Sequence, residues 1–253
     1  LVGSYNATTN SATITPATLT IVGSKVYDSS ATFTAAMVTT TGLVGVDAIA
    51  TATANTANVG SAGTNYFTGF TLSSGTASNY QLASAGVNNA ATITPATVTV
   101  NGTSQTATYN GSAQSLANPV ITGVLTGDAV TVTGGAAGTN AGTYTSSYAL
   151  TGSSAANYTI VANAPILTIN KANLSIASNN LGKFVTQADP TLSYSTLGLQ
   201  GSDTINSIGL AVAVSRAPGE AVGVYAVTPS GLTSTQNYTV SYSPGTLTIA
   251  PAD

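Results

Sequence analysis

The chain has 253 residues, of which only 4% are charged and 43% are hydrophobic, and its formal net charge is −3. Lysine and arginine together number 4, too few to bind nucleic acid or an anionic membrane. There is no histidine and no cysteine, which removes the commonest general base, the thiol nucleophile and most zinc ligands. We therefore expect no enzyme activity, no catalytic residue, no cofactor and no metal site.

A short strand that contains Thr-Ile returns at nearly equal intervals along the chain. Its isoleucines are Ile14, Ile93, Ile169 and Ile249. The interval is longer than the roughly 20 to 50 residues of a solenoid repeat, and it is long enough for a module with a small core of its own. We predict the C-terminal tail of a preceding module at 1–16, followed by modules 1, 2 and 3 at 17–95, 96–171 and 172–253.

Each module begins with an alternating strand. In the first of these strands, Leu19 and Ile21 point to one face while the threonines between them point to the other, as in a half-buried strand. Further runs of Tyr, Thr, Val and Ile are separated by Gly, Asn and Ser, and no helical period is sustained. We predict six or seven strands per module.

The predicted fold is mostly β, a tandem array of three small β-rich modules in an elongated rod. A β-sandwich is the default architecture for such modules. The alternative is a sheet covered by one short helix, for which 201–207 is the best candidate, with Ser202 or Asp203 as its cap.

The connectors between modules are very short. Pro16 and Pro95 stand in the first two connectors, and Lys171 stands in the third. Because proline has a fixed φ and no amide hydrogen, it ends a strand without slack. We therefore expect stiff junctions, with more bending at Lys171 than at Pro95.

Two polar features recur in every module and are candidates for binding. Asp47, Asp128 and Asp203 follow equivalent turns, and we predict that their side-chain oxygens cap the turn or the short helix. A lone calcium ion completed by backbone carbonyls is the alternative.

The second recurrent feature is an Asn-Tyr pair at the start of a strand. The pairs are Asn79-Tyr80, Asn157-Tyr158 and Asn237-Tyr238. We predict that each tyrosine packs its ring into the core and hydrogen-bonds its hydroxyl at the edge; the alternative is an exposed ring that stacks on a sugar. A lysine–asparagine crosslink in every module is excluded, because module 2 has no lysine apart from Lys171 at its boundary. Lys183 leaves module 3 as the one candidate place for such a crosslink.

Several motifs in fixed order together resemble the MBG and YDG repeat modules. They are Tyr27-Asp28-Ser29, Tyr109-Asn110-Gly111, Gly142-Thr143-Tyr144, Gly223-Val224-Tyr225, the Asn-Tyr pairs and the closing Thr-Ile-x-Pro-Ala. Module 1 is YDG-like, although Ser29 replaces a glycine and Val46 stands where a glycine is expected before Asp47. Modules 2 and 3 are MBG-like, and module 3 has no Tyr-Asp-Gly equivalent.

The resemblance implies a segment of a very large secreted bacterial adhesin, similar to filamentous haemagglutinin and exported by two-partner secretion. We expect a stalk or spacer that projects a distal binding region from the cell surface and takes part in adhesion and biofilm formation. Its partners would be neighbouring modules of the same chain, and the segment would be an extracellular monomer without membrane insertion. The alternative is that the modules themselves bind a host or matrix glycan or protein.

Overall fold

The computed structural model describes residues 14–252, so most of the predicted tail at 1–16 lies outside the described residues. The described chain consists of short strands joined by turns, which confirms the mostly β prediction. Its helical segments are short 3₁₀ helices at Ala35–Met37, Ala77–Asn79 and Ala155–Asn157. Among these residues there is no helix of the length and hydropathy needed to span a membrane.

Strands run through all three modules. In module 1 they are β1 (Ala17–Val26), β2 (Thr32–Thr34), β3 (Val38–Thr41), β4 (Ala48–Ala54), β5 (Phe67–Ser74), β6 (Tyr80–Leu82) and β7 (Asn89–Thr94). In module 2 they are β8 (Ala96–Asn101), β9 (Gln105–Thr108), β10 (Gln114–Ser115), β11 (Val120–Thr122), β12 (Thr131–Thr133), β13 (Ala137–Gly138), β14 (Gly142–Thr145), β15 (Ala149–Thr151), β16 (Tyr158–Ala162) and β17 (Ile166–Asn170). In module 3 they are β18 (Ala172–Ser178), β19 (Leu181–Phe184), β20 (Tyr194–Leu197), β21 (Ala213–Arg216), β22 (Gly223–Ser230), β23 (Tyr238–Ser243) and β24 (Gly245–Ala250).

The same parallel pairing recurs from module to module. The opening strand first pairs with the strand that begins at the Asn-Tyr tyrosine, so that Ala17 lies opposite Tyr80 and Ala172 opposite Tyr238. The opening strand or the strand after it also pairs in parallel with the Thr-Ile strand of its module. These pairs are β1 with β7, β9 with β17, and β19 with β24. In each module the opening stretch of chain therefore pairs with both motif strands, which is why the Thr-Ile and Asn-Tyr motifs keep a constant spacing.

The described residues divide into two compact units. The first unit contains residues up to 100 together with 121–133 and 149–161, and the second contains 101–120, 134–148 and 162–252. Strands β8, β11, β12, β15 and β16 of module 2 lie mainly in the first unit, and its other five strands lie in the second. Contacts between consecutive modules are thus internal to each unit, and the predicted boundaries at 95/96 and 171/172 remain predictions.

The core of the first unit is built on the inward face of β1. Leu19 and Ile21 are fully buried, as their alternation with threonine predicts. Phe33 and Phe67 are also buried and make an edge-to-face contact with ring centroids 5.0 Å apart. Phe33 lies in β2 and Phe67 in β5, so this contact joins the two outer strands of the sheet of β2, β4 and β5.

The core of the second unit draws on both sides of the connector at Lys171. Leu167 and Ile169 of β17 belong to one buried cluster with Leu174 and Ile176 of β18. Tyr238 is in the same cluster. The sequence suggests a separate core behind each Thr-Ile isoleucine, and for Ile169 this is wrong. Only Lys171 separates β17 from β18, so the apolar faces of both strands pack into the same cluster.

The predicted short helix at 201–207 is absent, and turns take its place. The Thr204 amide donates to Ser207 Oγ at 2.8 Å, and the Ser207 amide donates to Thr204 Oγ1 at 3.1 Å. This reciprocal pair is a capping box that starts a turn at Thr204, and Gly209, with φ of 68°, ends it after that one turn. The predicted helix-covered sheet is therefore not the architecture of the described residues.

We expect Leu174→Ala to lower the free energy of unfolding by about 2–5 kcal/mol, the usual cost of a cavity at a buried leucine. Leu197→Ala is the matched control; Leu197 is 78% exposed and the change should cost less than about 0.5 kcal/mol. Hydrogen exchange measured on the full chain should show lost protection in β17 as well as in β18 and β23. Loss confined to module 3 would contradict the shared core.

Candidate functional site at the module joints

Each module contains a four-residue turn that a tyrosine hydroxyl closes from both sides. In module 2 the Leu125 amide donates to Tyr158 Oη at 3.0 Å, and the Tyr158 hydroxyl donates to Asp128 Oδ2. The Asp128 amide donates to the Leu125 carbonyl at 3.2 Å within the same turn. Because the hydroxyl is both donor and acceptor, it joins the two ends of the turn in one chain of hydrogen bonds.

The other modules repeat this arrangement with different sequences. Tyr80 accepts from Val44 at 3.0 Å and donates to Asp47 at 2.6 Å. Tyr238 accepts from Gln200 at 2.8 Å and donates to Asp203 at 2.6 Å. We call the aspartate, its tyrosine and the asparagine before that tyrosine the acceptor face of a module.

The turn tolerates sequence change because its glycine can occupy either central position. Module 2 has Gly127 directly before the aspartate, with φ of 93°. Module 1 has Val46 there and carries the positive φ one residue earlier, at Gly45 with φ of 66°. Either central position of a four-residue turn can require φ above zero, depending on turn type. The missing glycine before Asp47 therefore changes the turn type and leaves the aspartate in place.

In the first joint, between modules 1 and 2, a tyrosine of module 1 binds the acceptor face of module 2. The Tyr27 hydroxyl donates to Asp128 Oδ1 at 3.1 Å, so the carboxylate receives one hydroxyl from each module. The rings of Tyr27 and Tyr158 meet edge to face, with centroids 5.4 Å apart. Hydrogen bonds to a carboxylate are stronger than those between neutral groups, and the ring contact adds apolar area.

The second joint, between modules 2 and 3, repeats this contact, with both hydroxyls donating to the same carboxylate oxygen. The Tyr109 hydroxyl donates to Asp203 Oδ2 at 2.8 Å. The rings of Tyr109 and Tyr238 meet edge to face with centroids 5.4 Å apart, the same separation as in the first joint. The recurrence of one geometry in two different sequences shows that the tyrosine–aspartate–tyrosine contact is a property of the repeat.

The asparagine of each acceptor face makes a second tie to the preceding module. Asn157 Oδ1 accepts from the Val59 amide at 2.9 Å, and its Nδ2 donates to Asn58 Oδ1 at 3.0 Å. Asn237 Oδ1 accepts from the Ala141 amide at 2.8 Å, and its Nδ2 donates to Asn140 Oδ1 at 3.0 Å. Both halves of the side-chain amide are therefore used, which explains why an asparagine stands at this place.

We call the two partners of the acceptor face the donor end of the preceding module. A donor end consists of the tyrosine of a Tyr-Asx-Gly/Ser turn and of an Asn-x-Gly loop. In module 1 these are Tyr27–Ser29 and Asn58–Gly60, and in module 2 they are Tyr109–Gly111 and Asn140–Gly142. Lys171 adds a contact at the second joint, since its ammonium group donates to Ser234 Oγ at 2.6 Å and to the Thr235 carbonyl at 2.5 Å.

Ser29 shows how a donor end adapts to a non-glycine residue. It has φ of 64°, a left-handed conformation that costs energy in a residue with a Cβ. Its hydroxyl lies 3.5 Å from Asp128 Oδ1 and 3.4 Å from Tyr27 Oη, at the centre of the first joint. Gly111 takes this position in the second joint, where an added Cβ would come within 3.1 Å of the Gly201 Cα. A serine fits in the first joint, whereas at Gly111 an added Cβ would press on the Gly201 backbone at a positive φ of 77°.

The acid–base properties of the tyrosines follow from these contacts. Burial, followed by the hydrogen bond to Asp203, raises the pKa of Tyr238 to about 12. Burial and the neighbouring aspartate also raise the pKa of Tyr109 and of Tyr158. Each hydroxyl therefore stays protonated and able to donate at neutral pH.

The structure confirms one prediction about these residues and corrects another. Tyr80, Tyr158 and Tyr238 begin strands and are buried, with bonded hydroxyls, as predicted. The three aspartates do stand at equivalent turns, but their side-chain oxygens do not cap the turn or a helix. They accept tyrosine hydroxyls instead, since the short turn leaves the carboxylate facing the aromatic ring that packs over it.

Sequence reasoning missed that Tyr27 and Tyr109 reach the following module. The available signal was the restriction of Tyr-Asx-Gly/Ser to modules 1 and 2, whereas the aspartate and the Asn-Tyr pair occur in all three. Residues present in every module except the last are those expected to bind the module that follows.

A different polar group occupies the strand opposite the Thr-Ile isoleucine. Lys25 lies opposite Ile93 and is buried, with its ammonium group 2.6 Å from Asp28 Oδ1. Lys183 holds the same position opposite Ile249, where its ammonium group pairs with Asp189 at 2.8 Å and with Glu220 at 2.5 Å.

Arg216 completes the cluster around Lys183 by binding both of these carboxylates. Hydrogen bonds from Arg216 and Lys183 lower the pKa of the Asp189 and Glu220 carboxyl groups. The same carboxylates raise the pKa of Lys183. A crosslink from Lys183 to an asparagine would need a neutral amine, so this ionised cluster does not favour the crosslink. No group of three or more His, Cys, Asp or Glu side chains within 14–252 is placed to hold a metal ion.

Family comparisons agree with this repeat geometry. The family model of the YDG domain matches residues 8–87 and 94–166, which together make up more than half of the chain. The chain belongs to the YDG domain family. The model of the MBG domain, YGX type, matches residues 174–248. The resemblance to YDG and MBG repeat modules is thus confirmed. Module 2, which we predicted to be MBG-like, matches the YDG model instead. A search of curated proteins found no match.

We expect Tyr109→Phe to lower the free energy of unfolding of the second unit by about 1–3 kcal/mol, because it removes a hydrogen bond to a carboxylate and keeps the ring. Tyr66→Phe is the matched control, since the hydrogen bonds of Tyr66 among the described residues are made by its backbone. Calorimetry on the full chain measures both changes. Equal small effects of the two substitutions would contradict the role of the Tyr109–Asp203 bond.

The joint should also weaken at alkaline pH. A tyrosine of ordinary pKa 10.0 loses its proton near that pH in the unfolded chain, whereas folded Tyr238 keeps its proton up to about 12. The folded state therefore binds this proton more tightly, and the resulting stability is complete below pH 10 and lost as the pH rises through 12. Denaturant midpoints measured across this range should fall, and Tyr238→Phe should reduce the fall. An unchanged slope in the variant would count against the assignment.

Proposed function

We propose that this segment is a structural spacer of a large bacterial adhesin, whose YDG and MBG modules hold a distal binding region away from the cell. The observation that carries the proposal is the use of the recurrent side chains. The acceptor-face residues of modules 2 and 3 bind the preceding module. In modules 2 and 3 the recurrent side chains are thus engaged with a neighbouring module, as a spacer requires and as a ligand-binding surface does not.

The joints supply the stiffness that a spacer needs. Each pair of modules is held by a connector of one residue, by a tyrosine–aspartate bond and by an asparagine tie. Two side-chain attachments beside a one-residue connector restrict bending and rotation about it, whereas a flexible connector alone allows both. We propose that stiffness arises from these side-chain contacts together with the short connector.

The remaining features of the proposal follow from the same role. A spacer has no active site, and its partners are the neighbouring modules of its own chain, so we propose a monomeric, extracellular segment at the bacterial surface without enzyme activity. Thr, Ser, Asn and Gly supply the polar surface in a chain that is 4% charged. The scarcity of lysine and arginine also leaves few sites for trypsin-like proteases, which suits an exposed location. Export by two-partner secretion and a part in biofilms belong to the same proposal.

We expect disruption of a joint to broaden the distribution of distances between the modules it connects. One dye in module 2 and one in module 3 can be attached at introduced cysteines, because the chain has none of its own. Asp203→Ala should widen the distance distribution in single-molecule energy transfer, since Tyr109 and Tyr238 lose their shared acceptor.

Asp189→Ala is the matched control for this measurement. Asp189 is also a carboxylate of module 3, but it pairs with Lys183 and Arg216 outside the joint. Its removal should leave the distance distribution unchanged. A distribution equally broad in the wild-type chain, in Asp203→Ala and in Asp189→Ala would overturn the spacer proposal.

A second candidate function is ligand binding by module 3 itself, and one feature favours it. Phe184 is 44% exposed and is the one aromatic residue among the exposed large hydrophobic side chains of the described chain. It lines an open cavity of about 280 Å³ with Gln187 and Thr248. An exposed ring beside polar groups is the arrangement that stacks on sugar faces.

Binding of the full chain to immobilised glycans and matrix proteins separates the two candidate functions. We expect the wild-type chain and Phe184→Ala to give the same low signal, because one exposed ring is a small contact area. The wild-type signal is compared with that of Val224→Ala, a change at another exposed apolar residue of module 3. Specific binding that Phe184→Ala abolishes and Val224→Ala preserves would establish the second function.

A further inference from the structure

Module 1 carries an acceptor face that, within the described residues, contacts no donor end. Asp47 and Tyr80 form the same closed turn as their counterparts in modules 2 and 3. Asp47 Oδ2 receives the Tyr80 hydroxyl, whereas Asp128 and Asp203 each receive a further hydroxyl from the preceding module. Asn79 is exposed, while Asn157 is buried and Asn237 is half-buried.

Residues around the acceptor face of module 1 are exposed to solvent, whereas a donor end covers the corresponding residues in the two joints. Val44 is 65% exposed and Ile14 is 92% exposed. Ile14, Pro16 and Asn79 line an open cavity of about 490 Å³. In the second joint the corresponding residues 169–171 and 236 lie beside Ala141–Thr143 of the donor end. The cavity at module 1 therefore lies where an Asn-x-Gly loop is seated in a joint.

Tyr80 and Tyr158 are both 7% exposed, but among the described residues an aromatic ring packs on Tyr158 and none packs on Tyr80. The hydrogen bond to Asp47 is the main cause that raises the pKa of Tyr80. At Tyr158 and Tyr238 the main cause is burial, which the preceding module supplies in part through its own tyrosine ring. The hydrogen-bonding part of the face is thus complete in module 1, and the covering ring is not among the described residues.

Not every module can supply the missing partner. The backbone amides of Tyr27, Tyr109 and Val185 donate to Thr94, Asn170 and Ala250 at 2.8, 2.8 and 2.9 Å, which places Val185 at the position of the donor tyrosine. Tyr144 and Tyr225 donate their hydroxyls to the carbonyls of Asn140 and Ala221, both at 2.9 Å, which places Ala221 at the position of the donor asparagine. Module 3 therefore lacks both features of a donor end.

We propose that Asp47, Asn79 and Tyr80 form a docking site for the donor end of another module of the YDG kind. The incoming tyrosine of a Tyr-Asx-Gly/Ser turn donates to Asp47 and packs edge to face on Tyr80. The backbone amide of an Asn-x-Gly loop donates to Asn79. The site selects a YDG donor end over the end of module 3, since a valine in place of the tyrosine leaves the carboxylate without its second donor. This inference rests on the proposed spacer function and names the partner of its first module.

The test is a lengthened chain in which a second copy of residues 17–95 is inserted between Pro16 and Ala17. The connector between the two copies then reads Thr94-Pro95-Ala17, which repeats the natural Thr94-Pro95-Ala96. Tyr27→Phe in the first copy and Asp47→Asn in the second copy are introduced singly and together, and thermal midpoints are measured. The combined loss should be smaller than the sum of the single losses, because both changes remove the same bond.

Two pairs in the same chain are controls. Tyr27 of the second copy with Asp128 is the natural pair of the first joint, and its non-additivity sets the expected size. Tyr27 of the first copy with Asp128 should be additive, because they lie in different joints. A further variant of the lengthened chain has Tyr27→Val in the first copy, which is the residue that module 3 has at this position. In this variant Asp47→Asn in the second copy should cause a loss that is simply additive.

Hydrogen exchange gives a second measurement that needs no substitution. Peptides covering residues 43–48 should exchange as two equal populations in the lengthened chain, one as fast as in the 253-residue chain and one slower. Additive losses, or a single fast population, would overturn the docking site. That failure would leave the spacer proposal standing, since the distance measurement on the second joint does not use this face. A broad distance distribution at the second joint, combined with non-additive losses for Tyr27 and Asp47, would contradict the spacer proposal and support the docking site.

Discussion

The structure depends on a carboxylate that receives tyrosine hydroxyls from two consecutive modules. Asp128 and Asp203 are among the few charged groups in a chain that is 4% charged, and each lies at the point where two modules meet. A partly buried carboxylate must be hydrogen-bonded to be tolerated. Here its donors come from both modules, so separation of the modules would replace one hydroxyl donor of the carboxylate with water. The hydrogen bonds that satisfy the carboxylate are therefore the same bonds that hold the two modules together.

This arrangement explains why the modules are small and share their cores. A module of this length buries a limited apolar area by itself. The cluster around Ile169 and Leu174 crosses the connector, and the tyrosine pair covers its edge, so each module gains apolar burial from its neighbour. The division of module 2 between two compact units follows from the same fact, since its opening and closing strands each pack with a different neighbour. Stability and connection between modules are therefore coupled.

The repeat also has a direction. Acceptor faces occur in all three modules, whereas donor ends occur in modules 1 and 2. In module 3, Val185 replaces the donor tyrosine, and the buried Lys183 carries a cluster with Asp189, Glu220 and Arg216 in place of the simpler Lys25–Asp28 pair of module 1. Joints that require matched ends allow a chain to set the order of its modules, in the way that specific interfaces reject partners that leave a polar group unpaired.

The sequence by itself determined the repeat, the mostly β class, the strand alternation at Leu19 and Ile21, and the burial of the Asn-Tyr tyrosines, because these depend on local periodicity and on spacing along one chain. It did not determine the partners of Asp47, Asp128 and Asp203, for which turn capping was the prediction, nor the absence of a helix at 201–207, where Thr204 and Ser207 bond the backbone locally. Only the tertiary structure decided that Tyr27 and Tyr109 bind the next module. Those residues lie 101 and 94 positions from their aspartates, and no local rule relates groups that meet only after two modules have folded against each other.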